Sequence, residues 1–280
     1  MKIYRSVGLF KKKIDEIKKS GKTIGFVPTM GSLHEGHLSL IRKAKLETDF
    51  CVVSIFVNPT QFGPKEDFKK YPRDLKKDIS MCRDVMADVL FIPAVSMMYR
   101  DDFSTYVTVD GLSKKLCGIS RPYHFRGVAT IVLKFFNLVK PDVAYFGQKD
   151  AQQVIIIKKM VRDLDVSTKI KVMPIIREKD GLAMSSRNKY LTSIERKKAL
   201  VLYESLKLAR SLYKSKEKKA FYIKGKMRKL ILKEKGINID YISIVDPDSL
   251  NEADKIGKNT LILVAARLGK TRLIDNIVIK

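Results

Sequence analysis

Histidine is one of the two scarcest titratable side chains in this sequence: there are three in 280 residues, His34, His37 and His124. Cysteine is as sparse, and Cys51, Cys82 and Cys117 are odd in number, widely spaced and never arranged as CxxC. That argues against a disulfide scaffold and reads as reduced, mostly buried thiols of a cytosolic protein. No stretch approaches the roughly 18 continuous apolar residues of a membrane helix. The N-terminal MKIYRSVGLFKKKIDEIKK has no apolar core, so it is expected to open an amphipathic helix and not to act as a signal peptide. Acidic residues are also few, with 30 Asp and Glu against 56 Lys and Arg and a formal net charge of +26. Such a field attracts polyanions. The basic residues are mainly scattered lysines without a compact basic–aromatic module, which describes solvent-facing positions better than a specific nucleic-acid site.

What is present is ordinary globular composition, 45% hydrophobic and 31% charged, in a chain long enough for one or two domains. Apolar runs rich in β-branched residues (KTIGFVPT, FCVVSIFVNP, ADVLFIP, DVAYFG and IKVMPIIR) read as strands buried on both faces. Between them, residues 36–47, 73–85, 124–139 and 149–163 carry helical spacing. Alternation of this kind predicts an α/β fold, a Rossmann-like parallel sheet with helices on both faces. After about residue 185 the pattern becomes two lysine-studded helices, 193–214 and 217–235, followed by IDYISIVD, TLILVAARL and TRLIDNIVI. The expected division is therefore 1–184 and 185–280, the second a smaller α+β domain.

In an open parallel sheet, ligands bind beyond the carboxyl ends of the strands. The unusual residues fall there: PTMG after TIGFV, NPTQFG after CVVSIFV, GQKD after DVAYF and REKDG after KVMPII. Turn chemistry explains Pro59 and Gly63, but explains Gln61, Lys149 and Asp150 less well. In PTMGSLHEGHLSL the glycines Gly31 and Gly36 permit close approach, and a helix begins inside the segment, so unpaired N–H groups and the positive dipole end are expected to receive phosphate. Residues three apart share a helical face, which lets His34 and His37 point into one space. A zinc protease needs HExxH, with histidines four apart, so HEGH favours phosphate over metal. Lys149 in GQKD can meet phosphate as a point charge. Asp150 can accept from a ribose hydroxyl or from water on Mg²⁺. MSSRN at 184–188 adds hydroxyls and an arginine fork suited to polyphosphate, although by itself it also reads as a capping loop.

Five stretches in order, PTMGSLHEGHLSLI, SIFVNPTQFGPKEDFKKYPRDL, LCGISRPYHFRGVATIVLKFFNLVKPDVAYFGQKDAQQ, PIIREKDGLAMSSRN and ARLGKTRLIDN, resemble the pantothenate synthetase (pantoate–β-alanine ligase) family of the HxGH nucleotidyltransferase superfamily. HxGH alone is shared with other nucleotidyltransferases; the block from RPYHF to GQKDAQQ is far more specific. The resemblance implies ATP-dependent condensation of (R)-pantoate with β-alanine through pantoyl adenylate, releasing AMP and pyrophosphate, with Mg²⁺. It also implies a homodimer, here of a cytoplasmic protein, with residues 1–184 binding ATP and pantoate and residues 185–280 closing as a C-terminal lid. Residue by residue, it assigns ATP to Met30, Gly31, Ser32, Leu33, His34, Glu35, Gly36 and His37, to Gly147, Gln148, Lys149 and Asp150, to the backbone of Ile176, and to Met184, Ser185, Ser186 and Arg187. His37, His34 and Lys149 would be catalytic, Gln61 would hold pantoate and β-alanine, and Gln153 would hold pantoate; no metal ligands are assigned. Two departures, Arg100 after Tyr99 and Asp74 in YPRD, fall outside these residues and concern loop geometry. The competing readings are a nucleic-acid-binding protein on the same fold and an HxGH enzyme that leaves AMP in its product.

Overall fold

The computed structural model describes residues 1–64 and 66–280; Lys65, inside the NPTQFGPKED stretch, lies outside the described residues. The chain folds into two compact units, residues 1–147 with 152–174, and residues 148–151 with 175–280.

The first unit is a six-stranded parallel sheet. It is built from β1 (Lys2–Tyr4), α1 (Val7–Lys19), β2 (Ile24–Thr29), α2 (Glu35–Glu47), β3 (Phe50–Ile55), α3 (Leu75–Asp84), β4 (Val89–Phe91), the single turns α4 (Val95–Met98) and α5 (Cys117–Ser120), α6 (His124–Val139), β5 (Val143–Gly147), α7 (Ala151–Asp163) and β6 (Lys169–Met173). The strand order is β1-β4-β3-β2-β5-β6, with every pairing parallel. The order reverses between β2 and β5, the switch point at which such sheets bind ligands. Because successive strand residues leave opposite faces, β2 serves two cores. Val27 packs with Leu38, Ile41 and Ala44 of α2 and Cys82 of α3. Phe26, next to it, meets Phe135 and Phe136 of α6, while Phe10 of α1 stacks on Phe91 at 4.0 Å.

The β-rich runs become the interior strands, but the two edges differ from expectation. The N-terminus does not enter helix directly: residues 2–4 first pair with Val89–Phe91 as an edge strand, and helix starts at Val7. IKVMPIIR is not a strand buried on both faces. It is the opposite edge, ends at Met173 before Pro174, and has an exposed Lys169 followed by half-buried residues. Proline lacks the N–H that a ladder needs, and an edge strand lacks a neighbour to cover it.

The second unit carries α8 (Ser193–Lys214), α9 (Ala220–Ile231) and an antiparallel sheet β7 (Ile237–Val245), β8 (Leu261–Leu268), β9 (Thr271–Val278) in the order β7-β8-β9. Thr192 and Glu195 form a capping box that starts α8. Leu202, Leu206, Ile223 and Met227 of the helices pack on Ile242, Ile262 and Val264 of the sheet. Among the described residues, no helix is long and apolar enough to cross a membrane.

Candidate active site

The turn leaving β2 is held from below by a buried carboxylate. Ser32 N and Leu33 N donate to Asp78 Oδ2 and Oδ1 of α3 at 2.9 and 2.8 Å, and Asp78 is only 3% exposed. Gly31 N donates to Thr29 Oγ1, whose own hydroxyl donates to the Ser54 carbonyl. Gly31 has φ +79°, and a Cβ there would lie 2.9 Å from Asp78 Oδ2. Both facts require glycine. Ser32 follows in the left-handed region at φ +49°.

His34 then caps α2. Gly36 N donates to His34 Nδ1 (3.2 Å), which leaves the ring proton on Nε2. The His37 ring lies 4.1 Å from that of His34, centroid to centroid, tilted by 40°. The two histidines do share one space, but the expected row of unpaired N–H groups is corrected. The N–H groups of Gly31, Ser32, Leu33 and Gly36 already have acceptors in Thr29, Asp78 and His34. The turn can therefore offer an anion two imidazoles and the positive end of a 13-residue helix. Glu35 turns back along α2 to pair with Arg42.

Gln61 is brought to the same turn. It closes a short 3-10 helix (Pro59–Gln61) after β3, is 7% exposed, and its Nε2 approaches Met30 Sδ at 2.8 Å. Asn58 Nδ2 donates to Gln61 Oε1 and to the Gly127 carbonyl, and Tyr99 OH donates to Asn58 Oδ1. Burial pushes the Tyr99 phenol up to about 12, so it remains a donor at neutral pH. Arg121 Nη2 and His124 Nδ1 both donate to the Gln61 carbonyl, at 3.2 and 2.9 Å. Arg121 also grips Glu66 through two 2.6 Å hydrogen bonds. Burial pushes the Glu66 carboxyl upward, but those hydrogen bonds and the guanidinium charge outweigh it and hold the group below its ordinary value. A Cβ on Gly127 would sit 2.4 Å from the Thr60 carbonyl, so α6 touches the Gln61 segment at main-chain distance.

Gln153 is half-buried in the first turn of α7. Its neighbour Gln152, 4% exposed, accepts from Cys117 N and donates to the carbonyls of Leu112 and Lys115. Gly147 ends β5.

The remaining predicted residues belong to the second unit. Gln148, Lys149 and Asp150 form one 3-10 turn, and the Lys149 ammonium lies 3.8 Å from Asp150 Oδ1. The Ile176 carbonyl accepts from Met184 N (3.0 Å). Ser185 does act as a cap: its Oγ accepts from Arg187 N at the start of the 186–190 turn. Arg177, beside Ile176, forks onto Asp275 of β9 at 2.6 and 2.9 Å and lies 3.6 Å over the Tyr203 ring.

Asp78, Asn58, Arg121 and His124 were missed as parts of this arrangement. Asp78 had a readable signal, because a carboxylate falls four residues before buried Cys82 on the inward face of α3. Of the two departures from the resemblance, Asp74 N-caps α3 by accepting from Lys77 N, a task aspartate performs as well as threonine. Arg100 lies in a turn closed by Phe103 N donating to its carbonyl.

Comparison with known proteins bears on the whole chain. The family profile "Pantoate-beta-alanine ligase" matches residues 2–278. Pantothenate synthetase from Thermosipho africanus is 55% identical over 279 residues, covering 100% of both chains. The crystal structure of pantothenate synthetase from Thermus thermophilus superposes with a TM-score of 0.95 at 40% identity, covering 99% of each chain. The pantoate–β-alanine ligase of Francisella tularensis, solved with β,γ-ATP and β-alanine, superposes with a TM-score of 0.83 at 38% identity, covering 99% of this chain and 97% of that one. With a profile matched from end to end and relatives of this identity and coverage, the chain belongs to the pantoate–β-alanine ligase family.

Proposed function

We propose that this chain ligates (R)-pantoate to β-alanine at the expense of ATP in two steps, through pantoyl adenylate. The observation that carries the reading is the paired imidazoles of His34 and His37 beside the Met30–Gln61 contact at the sheet's switch point. In the first step a carboxylate oxygen of pantoate bonds to the α-phosphorus of ATP, and the bond from that phosphorus to the β-phosphate oxygen breaks, releasing pyrophosphate. The attacking carboxylate is already ionised, so the step needs no base. It needs donors where negative charge builds, often the largest single contribution to catalysis. His37 and the Nε2–H of His34 supply these, together with Lys149, Ser185, Ser186 and Arg187. Ile176 receives adenine on its main chain. Gln61 and Gln153 hold pantoate, because an amide donates to the carboxylate and accepts from a hydroxyl; Gln61 also meets β-alanine. In the second step the β-alanine amine attacks the acyl carbon, the carbon–oxygen bond to AMP breaks, and a proton leaves the amine.

Mg²⁺ fits this reading as an ion carried by the nucleotide. Among the described residues no group of three or more His, Cys, Asp or Glu could hold a metal ion. Mg²⁺ characteristically uses phosphate oxygens and water with one or two carboxylates. The half-exposed Asp150 would meet its water shell, and the ion would offset charge on the leaving phosphates. The buried free cysteines agree with a cytoplasmic setting, and the family resemblance supports a homodimer.

Heavy-oxygen labelling tests the chemistry. Pantoate labelled in its carboxylate should give AMP carrying one labelled atom and unlabelled pyrophosphate, read by mass spectrometry of the quenched nucleotide pool. An acyl-phosphate route would instead send the label to orthophosphate and yield ADP. AMP without label, or ADP as the main product, would overturn the adenylate while leaving the fold untouched.

A further inference from the structure

Asn276 of β9 is 2% exposed, and its amide is committed entirely to the segment that carries Lys149. Its Nδ2 donates to two successive carbonyls, those of Gln148 and Lys149, each at 3.0 Å, and its Oδ1 accepts from Gln148 Nε2, also at 3.0 Å. An amide group has two N–H donors, and both are used on adjacent peptide planes. Asn276 is itself held by its neighbour. Asn276 N donates to Asp275 Oδ1 at 2.8 Å, and the Asp275 carboxylate, 4% exposed, is forked by Arg177. Arg177 in turn donates to the Gly181 carbonyl (3.1 Å). One dipeptide of β9 thus anchors the 148–149 main chain and the arginine that follows Ile176.

The contrast with the lysine's own side chain matters. Asn276 ties residues 148–149 at two main-chain carbonyls and one side-chain amide, whereas the Lys149 ammonium is 3.8 Å from Asp150, longer than a hydrogen bond. An ordinary structural asparagine would stitch a strand to whatever lies next to it. This one fixes the two peptide planes from which a single cation extends, and leaves that cation available.

We propose that Asn276 is a positioning residue, which sets the main-chain conformation of Gln148–Lys149 and thereby aims the Lys149 ammonium at the phosphates of ATP. The proposal rests on the reading that Lys149 meets ATP. The test is a double-mutant cycle on the purified full-length enzyme, using Asn276→Ala, Lys149→Ala and both together. It is followed by pantoate-dependent exchange between ATP and pyrophosphate and by steady-state pantothenate formation with ATP and β-alanine varied in turn, with thermal midpoints recorded alongside.

If a misplaced cation is the cause, Asn276→Ala should lower kcat/KM for ATP by on the order of 10²-fold, with the KM for β-alanine unchanged. The double variant should fall no further than Lys149→Ala, since the two residues act as one unit. If Asn276→Ala does not fold, Asn276→Asp, isosteric but without the N–H donors, is put through the same cycle. Losses that multiply in the double variant, or equal damage to β-alanine and ATP use, would mean a general structural role and overturn the proposal. An impaired Lys149→Ala beside an unimpaired Asn276→Ala overturns this proposal alone. A Lys149→Ala enzyme close to wild type overturns the reading of Lys149 and this proposal with it.

Discussion

His34 and His37 look equivalent in the motif and are not. His34 has its Nδ1 committed to Gly36 N as the cap of α2, so it is structural on one side and a donor on the other. His37 lies inside the first turn, its N–H donating to the His34 carbonyl. Replacing His37 should therefore leave the helix start intact and remove one donor aimed at developing charge. His37→Ala should fold normally and lose on the order of 10²–10³ in adenylation rate, about 2.7–4 kcal/mol. A folded variant forming pantothenate near the wild-type rate would refute that role. Scarcity made both histidines readable in the sequence. The residues that hold them were harder to see, because Asp78 and Asn58 look like any polar residue until their distant partners are known. Asp78 is 46 positions from Ser32, and Asn58 is 69 from Gly127. A sequence pattern reports periodicity within an element, and such pairings belong to none.

Among the elements, the C-terminal turn of α2 shows how the helix that begins at the site is fastened at its other end. Glu47 accepts hydrogen bonds from Lys171 of β6 and Tyr145 of β5, and pairs with Lys43 one turn back. The Lys171 hydrogen bond, followed by that of Lys43, lowers the Glu47 carboxyl from 4.5 to about 2. A carboxyl lowered on folding contributes stability that is complete above its ordinary value and fades as pH falls through the folded one. Glu47→Gln should therefore melt below wild type at neutral pH, with the gap closing as pH is lowered from 4.5 toward 2. An unchanged gap at the acid end would show that the side chain acts by packing and not by charge. Elements were also where sequence was most informative. The periodicity of 124–139 and 193–214 coincides with α6 and α8, and TRLIDNIVI with β9. The edges failed for a physical reason: a three-residue strand such as β1 is too short to show alternation, and β6, KIKVM, carries two lysines and is only half-buried at the sheet edge.

Taken whole, the molecule combines a net charge of +26 with a reaction that uses small anions. Several of its cations are committed to local pairs, such as Lys45 with Asp88 and Lys18 with Asp142. Binding to RNA or DNA should accordingly be weak near physiological salt and leave steady-state kinetics unchanged. A complex that survives about 200 mM salt and competes with ATP would favour the nucleic-acid reading instead.

The path of the chain between the two units has a consequence for dissecting the protein. The second unit takes residues 148–151 out of the middle of the first, and the rest of it begins only at Ile175. A fragment starting at residue 175 would keep Asn276 and discard both carbonyls to which it donates. The two units are thus not separable by a single cut, and recombination that exchanged the C-terminal part between relatives would have to exchange the four-residue insert with it.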